Sequence, residues 1–161
     1  IRKTTNGGYN WSETLLDSIE VLYDIEFKNS YTGFACGYYP TATGYFGAIC
    51  MTTDQGNSWG VQYPQTNIIY ELSIADSNTI YASCDGGKIL KSTNGGINWE
   101  LIPTGITGTN SDILAIDFIN DNFGIVAAYN GNVATTTNGG TTWNIIGLIS
   151  GANPWDKEMV D

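Results

Sequence analysis

The sequence contains no histidine and few cationic residues. Lysine and arginine together number 6 against 16 aspartates and glutamates, which gives a formal net charge of −10. Without histidine, the chain lacks the commonest general base and a frequent metal ligand. An acidic chain repels phosphate backbones and anionic membrane surfaces, so we expect no nucleic-acid partner.

Long apolar runs and metal motifs are also missing. No stretch approaches the roughly 20 apolar residues that span a bilayer, so we expect no membrane insertion, and the first residues lack the pattern of a signal peptide. Cys36, Cys50 and Cys84 do not have the spacing of a zinc or redox motif. We therefore expect no metal and no cofactor. The hydrophobic fraction is 42% and the charged fraction only 14%, which is typical of a folded domain rather than a disordered chain.

One octet, in contrast, occurs four times. It is TTNGGYNW at 4–11, TTDQGNSW at 52–59, STNGGINW at 92–99 and TTNGGTTW at 136–143. Its tryptophans are separated by 48, 40 and 44 residues. Periods of this length indicate a solenoid or the blades of a propeller.

Each segment between octets contains three runs with strand character, and a fourth run follows each tryptophan. The first run alternates apolar and mostly polar residues, the second has small, β-branched or aromatic residues, and the third leads into the octet. The three runs lie at 23–27, 34–37 and 48–51, at 70–74, 81–84 and 88–91, and at 114–118, 125–128 and 132–135; the fourth lies at 13–16, 60–63, 100–102 and 144–149. Gly86-Gly87 and Asn130-Gly131 predict two-residue turns between the second and third runs. Four antiparallel strands per repeat predict an all-β propeller, or part of one.

We predict a single propeller segment over residues 1–161. Residues 1–19 form the last hairpin of a preceding blade, residues 20–63, 64–107 and 108–150 form three blades, and residues 151–161 are a tail or the start of another blade. We expect a segment of a longer protein, a ring closed by another chain, or an array capped by the region of Pro154 and Trp155. Exposed terminal strands would otherwise favour association with further blades or self-association.

The octet has the residues of a tight turn between the third and fourth strands. A hydroxyl side chain can bond across the turn, and an Asn or Asp can accept backbone N–H groups two residues ahead. The glycine can adopt positive φ, and the tryptophan buries a large ring between neighbouring sheets. The residues assigned to these roles are Thr4, Asn6, Gly8 and Trp11; Thr52, Asp54, Gly56 and Trp59; Ser92, Asn94, Gly96 and Trp99; and Thr136, Asn138, Gly140 and Trp143.

This octet resembles the Asp-box, or bacterial neuraminidase repeat, of β-propeller proteins. Residues 52–59 match its pattern fully, and the other three copies carry Asn in place of the acidic residue. The Asn-Gly-Gly variant looks most like the photosystem II assembly-factor-like and related secreted repeat proteins. The resemblance implies a structural turn on the propeller rim, away from the active-site face. The same box occurs in sialidases, xyloglucanases, sorting receptors and assembly factors, so it does not define one activity.

The enzymes with this box need particular arginine and carboxylate residues in their active sites. A sialidase needs three arginines, and the only arginine is Arg2, which excludes a self-contained sialidase and also the arginine-rich surface that the assembly factors imply. A xyloglucanase-type enzyme needs two aspartates facing one cleft. The candidates are carboxylates on the innermost strands, which either line the axis as a cation or glycosidase site or form a solvated channel wall; they are Asp24, Glu26, Glu71 and Asp117.

Two further sets of residues are candidates for function. Tyr38, Tyr39, Tyr45 and Phe46 flank a wide loop over residues 40–44, and they either bind a sugar or protein or pack beside the hairpin. Cys36 and Cys50 lie opposite each other if the equivalent Gly86-Gly87 turn is tight, so they form either a disulfide or two buried free thiols.

We therefore predict a non-catalytic scaffold that binds a protein or glycan and is located outside the cytoplasm, as a secreted, periplasmic or cell-surface protein. The chief alternative is part of an Asp-box glycoside hydrolase whose catalytic residues lie largely outside this chain. A second alternative is a structural repeat of a surface layer or fibre.

Overall fold

A computed structural model describes residues 1–16, 18–64, 66 and 68–147, and all regular structure in these ranges is β. The strands are β1 (Arg2–Lys3), β2 (Ser12–Glu13), β3 (Val21–Phe27), β4 (Gly33–Thr41), β5 (Gly44–Thr52), β6 (Gly60–Gln62), β7 (Ile69–Ile74), β8 (Ile80–Cys84), β9 (Lys88–Ser92), β10 (Glu100–Pro103), β11 (Ile113–Phe118), β12 (Gly124–Ala128), β13 (Val133–Thr136) and β14 (Asn144–Ile146). No helix in these ranges is long and apolar enough to cross a membrane.

The strands form a hairpin and three four-stranded sheets in chain order. β1 pairs with β2, and the sheets are β3-β4-β5-β6, β7-β8-β9-β10 and β11-β12-β13-β14. The pairings within them are antiparallel. Each sheet falls inside one of the predicted blade intervals, whereas the predicted tail over 151–161 lies outside the described residues. The all-β prediction and the four-stranded antiparallel sheets are thus confirmed.

The first of two compact units comprises Ile1–Ile69. Its core lies on β4 and β5, where Phe34, Ala35, Cys36, Ile49 and Cys50 are fully buried. Small and β-branched side chains suit strands that are covered on both faces. Beside the β1–β2 hairpin the Thr14 N–H donates to the Ile1 carbonyl over 2.9 Å.

The second unit comprises Tyr70–Asp161, and its core lies between the sheets β7–β10 and β11–β14. Buried side chains from both sheets, and one from the segment between β10 and β11, form one cluster, comprising Tyr81, Ile89, Ile106, Ile113, Ile116, Phe118, Val126, Ala128 and Ala134. The rings of Tyr81 and Phe118 are stacked, with centroids 3.5 Å apart and an interplanar angle of 7°. The sheets therefore face each other through apolar side chains at alternate positions, as the period-2 pattern requires.

The hairpin turns differ from the predicted two-residue turns. Ser83 pairs with Ile89 and Ala127 pairs with Val133, so each turn contains one residue more than predicted. The glycines do adopt positive φ: it is 72° at Gly87 and 79° at Gly131. A three-residue turn with a left-handed glycine is the next commonest hairpin connection after the two-residue one.

Of the two alternatives for Cys36 and Cys50, the structure has the buried free thiols, because the disulfide required a two-residue turn. Cys36 pairs with Ile49, and Cys50 pairs with Ala35. Since successive side chains of a strand point to opposite faces, the two sulfurs lie on opposite sides of the sheet. All three cysteines are free and buried, and burial raises the pKa of the Cys50 thiol to about 11.

Candidate functional site

The β4–β5 hairpin is longer than its counterparts in the other sheets. β4 and β5 each have nine residues, whereas β8 and β9 each have five. The predicted wide loop over 40–44 is therefore wrong. Pro40 pairs with Tyr45 and Thr41 pairs with Gly44, so the two strands continue to a tight turn at the tip of the hairpin. The extra length consists of paired strand rather than loop.

Aromatic side chains cover both faces of this extension, which we call the tyrosine hairpin (residues 38–46). On one face Tyr38 contacts Tyr45 with ring centroids 4.8 Å apart, and it contacts Tyr23 at 5.9 Å. Tyr39 on the other face contacts Phe46 at 6.1 Å and Tyr63 at 4.7 Å. The structure therefore brings the four predicted residues into one hairpin and adds Tyr23 on β3 and Tyr63 in the segment after β6, which are distant from the hairpin in sequence.

The tyrosine hairpin combines packed rings with large exposed surfaces. Tyr23 and Tyr45 are 50% and 51% exposed, and Phe46 and Tyr63 are 36% and 49% exposed. Desolvation and the nearby Glu20 raise the pKa of Tyr38. Rings that hold one another in place while exposing apolar faces and hydroxyl groups can contact a partner at little cost in side-chain entropy.

The backbone of the same hairpin has unpaired edges within the described part of the chain. Pairing of β3 with β4 ends where Val21 lies opposite Tyr38, and pairing of β5 with β6 begins where Ile49 lies opposite Gln62. Residues 39–41 and 44–46 therefore pair only with each other. An edge of this kind offers hydrogen-bonding groups to an added strand.

The four octets form one recurrent turn, which we call the octet turn. In the second copy the Thr52 hydroxyl donates to Asp54 Oδ1 over 2.9 Å and accepts the Gly56 N–H over 2.9 Å. Asp54 Oδ1 also accepts the Ser58 N–H over 2.9 Å, and Oδ2 accepts the Ser58 hydroxyl over 2.6 Å. Bonds from Ser58 and Thr52 hold the pKa of Asp54 at about 2.

The other three copies repeat this network with an Asn in place of the Asp. In each copy the hydroxyl side chain accepts the N–H of the residue four positions ahead, and the Asn Oδ1 also accepts an N–H four positions ahead. The predicted acceptance two positions ahead by the Asn or Asp is wrong; that shorter bond is made to the hydroxyl of Thr4, Thr52, Ser92 and Thr136. The amide and carboxylate thus close the same turn.

Positive φ occurs at two consecutive positions of each octet turn rather than one. The predicted glycines have φ of 93°, 78°, 87° and 86° at Gly8, Gly56, Gly96 and Gly140. The preceding residue is also left-handed, with φ of 70°, 64°, 72° and 66° at Gly7, Gln55, Gly95 and Gly139. The Gly-Gly pair in three of the four octets is typical of two consecutive left-handed positions. The side chains of the turn are bonded to its own backbone, which is a structural role.

The tryptophans are less buried than the sequence analysis predicted. Trp11 is 59% exposed, and Trp59, Trp99 and Trp143 are half-buried. Trp59 and Trp143 pack edge-on against Phe27 and Phe118 of their own sheets, at centroid distances of 6.2 and 6.1 Å. Each of these two rings therefore supports the base of its own sheet.

The acidic residues of the innermost strands take part in backbone hydrogen bonds. Glu71 Oε2 accepts the Ile116 N–H over 2.7 Å, and next to it the Ser73 hydroxyl accepts the Phe118 N–H over 2.9 Å. These N–H groups belong to β11, an edge strand of its sheet. Asp24 Oδ1 accepts the N–H of Ile25 over 2.7 Å, and Glu26 is half-buried. Glu71 and Asp24 therefore each accept a backbone N–H. That these acidic residues line the propeller axis stays a prediction.

Glu71 and Asp117 line one depression in the second unit. Its volume is about 220 Å³, and its other walls include Ala115, Ile125 and Val133. Asp117 is exposed, whereas Glu71 is half-buried. No group of three or more Asp, Glu, Cys or His residues is arranged to hold a metal ion within the described ranges.

Known proteins support the fold. No family model matches the chain, and no curated protein matches it. Among solved structures, it is similar to YCF48 bound to a D1 peptide, with 17% identity and a TM-score of 0.70 over 86% of this chain and 43% of that one. It is also similar to YCF48 from Cyanidioschyzon merolae, with 21% identity and a TM-score of 0.66 over 84% of this chain and 39% of that one.

An enzyme is also among the similar structures. The GH74 enzyme of Niastella koreensis shares 20% identity with a TM-score of 0.63, over 78% of this chain and 22% of that one. The chain therefore spans less than half the length of each of these proteins. Together with the three antiparallel four-stranded sheets, these similarities show that the chain has the β-propeller fold.

Proposed function

We propose that this chain is part of a non-catalytic propeller scaffold that binds a protein partner, and that the tyrosine hairpin binds an extended segment of that partner. The observation that carries the proposal is the extension of β4 and β5 beyond the strands beside them, with aromatic side chains on both faces and unpaired backbone edges. Repeat length alone would not require these residues, because β8 and β9 close a hairpin with five residues each.

An extended peptide fits both properties of the hairpin. Its main chain can pair with the edge at residues 39–41 or 44–46, and its side chains can pack against rings on either face. Tyrosine is enriched at binding surfaces because it gives a large contact area with few rotatable bonds. One similar structure, YCF48, is described as bound to a D1 peptide, which supports a protein partner in general. The net charge of −10 favours a neutral or basic peptide.

Peptide selection with matched variants tests this function. Peptides selected from a displayed random library on the wild-type chain are measured by calorimetry against Tyr45→Ser and Phe46→Ser, and we expect at least about a tenfold loss of affinity for each exposed ring removed. Tyr31→Ser and Tyr9→Ser are controls, because these residues are 57% and 89% exposed and lie outside the hairpin. The proposal would be refuted by equal losses of affinity in the control variants, or by selected peptides that bind the hairpin variants as tightly as the wild type.

Two other outcomes would identify a different function. Glycan-array binding that requires Tyr45 or Phe46, without peptide binding, would indicate a carbohydrate scaffold. Sugar release that Asp117→Asn abolishes would indicate part of a glycoside hydrolase. Location outside the cytoplasm is also a proposal; the disulfide that would have supported it is absent, and fractionation of the native source tests it.

A further inference from the structure

The free edges of the tyrosine hairpin arise within its own sheet. The hairpin lies between β3 and β6, and both of these strands stop short of its tip. Near the base of the hairpin the Glu20 N–H donates to the Tyr38 carbonyl over 3.1 Å, and the Gly47 N–H donates to the Thr66 carbonyl over 2.9 Å. Between these two bonds and the tip, no strand in the described part of the chain pairs with either edge.

These two bonds define which way the main-chain groups of the hairpin point. In an antiparallel ladder, pairs of residues that bond to each other alternate with pairs that do not, and the groups of the second kind of pair face outward. Tyr38 and Gly47 are cross-strand partners, and both bond outside the β4–β5 ladder. The next outward-facing pair, two residues nearer the tip, is therefore Pro40 and Tyr45.

The two edges differ in what this outward-facing pair offers. Proline has no N–H, so β4 presents only the Pro40 carbonyl, and a proline on an edge strand hinders pairing with an added strand. On the other side, β5 presents both the N–H and the carbonyl of Tyr45. The edge of β4 is thus closed to an added strand, and the edge of β5 is open.

The surroundings of Tyr45 favour a short antiparallel contact. Toward the base of the hairpin the Gly47 N–H is already bonded to Thr66, so the open length of β5 contains one outward-facing residue. In an antiparallel ladder a single residue of the added strand satisfies both groups of its partner. The Tyr45 ring is 51% exposed and contacts Tyr38 at 4.8 Å, and Phe46 on the opposite face is 36% exposed. The main chain can therefore fix the register of a bound segment, while the rings provide most of its contact area.

We propose that the partner segment adds antiparallel to β5, where one of its residues exchanges hydrogen bonds with the N–H and the carbonyl of Tyr45. This inference rests on the proposed function. The partner is an extended segment with no proline at the paired position. The paired residue has a β-branched or aromatic side chain, because such side chains pair favourably with an aromatic residue across a ladder. The residues before and after it point to the face of Phe46.

An amide-to-ester substitution at Tyr45 tests the main-chain contact. The α-hydroxy acid analogue of tyrosine replaces the N–H by an oxygen atom and keeps the ring. The probe is the peptide that binds the wild-type chain most tightly after library selection. We expect the ester to weaken binding of this peptide by about three- to tenfold in calorimetry, because one hydrogen bond is lost. The control is the same substitution at Tyr9, which is 89% exposed and lies in an octet turn, and it should leave the affinity unchanged.

N-methylation of the peptide, one residue at a time, gives a second measurement. We expect at least about a tenfold loss of affinity at a single position, because the Tyr45 carbonyl accepts one peptide N–H and a methyl group there also prevents close approach. The N–H groups of the residues before and after this position point away from β5, so their methylation should have a smaller effect. Equal losses at all positions would overturn the proposed pairing.

Pro40→Thr tests the choice of edge. This substitution restores an N–H on β4, and Pro40 is exposed, so the variant should keep the circular dichroism spectrum of the wild type. We expect the affinity of the selected peptide to be unchanged, because the peptide binds at β5. A tighter complex with this variant, combined with no effect of the Tyr45 ester, would place the segment on β4 and overturn the proposal.

The outcomes separate this inference from the function on which it rests. A peptide whose binding requires the rings of Tyr45 and Phe46 but tolerates the Tyr45 ester would keep the proposed function and overturn the strand addition. A library that yields no peptide for the wild-type chain would overturn both.

Discussion

Replacing Gly139 by alanine should destabilise the second unit much more than the same change at Gly7 destabilises the first. Both glycines occupy the same position of an octet turn and have nearly the same backbone conformation, with φ of 66° and 70°. A Cβ atom at Gly7 would meet no atom within 4 Å, whereas at Gly139 it would lie 2.6 Å from the Asp121 carbonyl oxygen. The pair therefore separates the conformational cost from the packing cost.

The conformational cost is common to both variants. An L-residue in the left-handed region costs roughly 1–2 kcal/mol, and this is the whole expected effect of Gly7→Ala. At Gly139 the Asp121 carbonyl must also move. That carbonyl accepts a hydrogen bond from the Tyr81 hydroxyl over 3.0 Å. Burial raises the pKa of Tyr81 to about 12. Overpacking of a tight site adds about 1–3 kcal/mol, so we expect a total of about 2–5 kcal/mol for Gly139→Ala.

Thermal and urea denaturation measure the difference. For a chain of this length, 1 kcal/mol corresponds to a shift in Tm of about 2–4 °C, so Gly139→Ala should lower Tm by roughly 4–20 °C and Gly7→Ala by less. Gln55→Gly should raise stability, because Gln55 is the one non-glycine residue at this position and has φ of 64°. Equal losses for the two alanine variants would refute the assignment of the close contact at Gly139.

Three further predictions follow from single hydrogen bonds and thiols. The pKa of Asp54 is held at about 2, below its ordinary 3.8, so its carboxylate stabilises the folded state above pH 4 and loses this contribution as the pH falls toward 2. The Asp54→Asn variant should fold, and its stability in urea denaturation should fall less between pH 4 and pH 2 than that of the wild type. A thiol reagent at pH 8 should label no cysteine in the folded chain and three after denaturation, because the thiols are buried and burial raises the pKa of Cys50 to about 11; labelling of Cys50 in the folded chain would contradict this. Glu71→Ala should cost about 1–3 kcal/mol in urea denaturation, because the Ile116 N–H loses its acceptor, while Glu71→Gln keeps an acceptor and should cost less.

The sequence was sufficient to predict the elements of the fold because the octet marks the same point in every repeat. Tryptophan spacing and period-2 alternation located the strands to within a few residues of the observed bounds. The sequence did not predict the register of the hairpins. Gly86 and Gly87 both have positive φ, which two-residue and three-residue turns equally allow, and one extra residue moves each partner to the opposite face of the sheet.

The candidate site was only partly predictable for a different reason. Tyr38, Tyr39, Tyr45 and Phe46 attracted attention by their residue types and their nearness in sequence. Tyr23 and Tyr63 belong to β3 and the segment after β6, so pairing across strands was needed to place them against the hairpin. That residues 40–44 continue the two strands depended on cross-strand packing of these rings, which no local turn signal encodes.

The acidic residues illustrate how composition can suggest chemistry that the fold explains otherwise. Carboxylates that alternate along innermost strands resemble a catalytic or cation-binding lining. In the second unit, however, Glu71 reaches the neighbouring sheet and accepts a backbone N–H that β11, as an edge strand, cannot give to another strand. Two residues further along β7, Ser73 accepts the Phe118 N–H with a neutral hydroxyl. An acceptor at this place protects an exposed edge from unwanted pairing. The Glu71 carboxylate therefore has a structural role in the hydrogen bonding between the two sheets. The position to examine for other chemistry is Asp117, which is exposed where its counterpart Ser73 is buried.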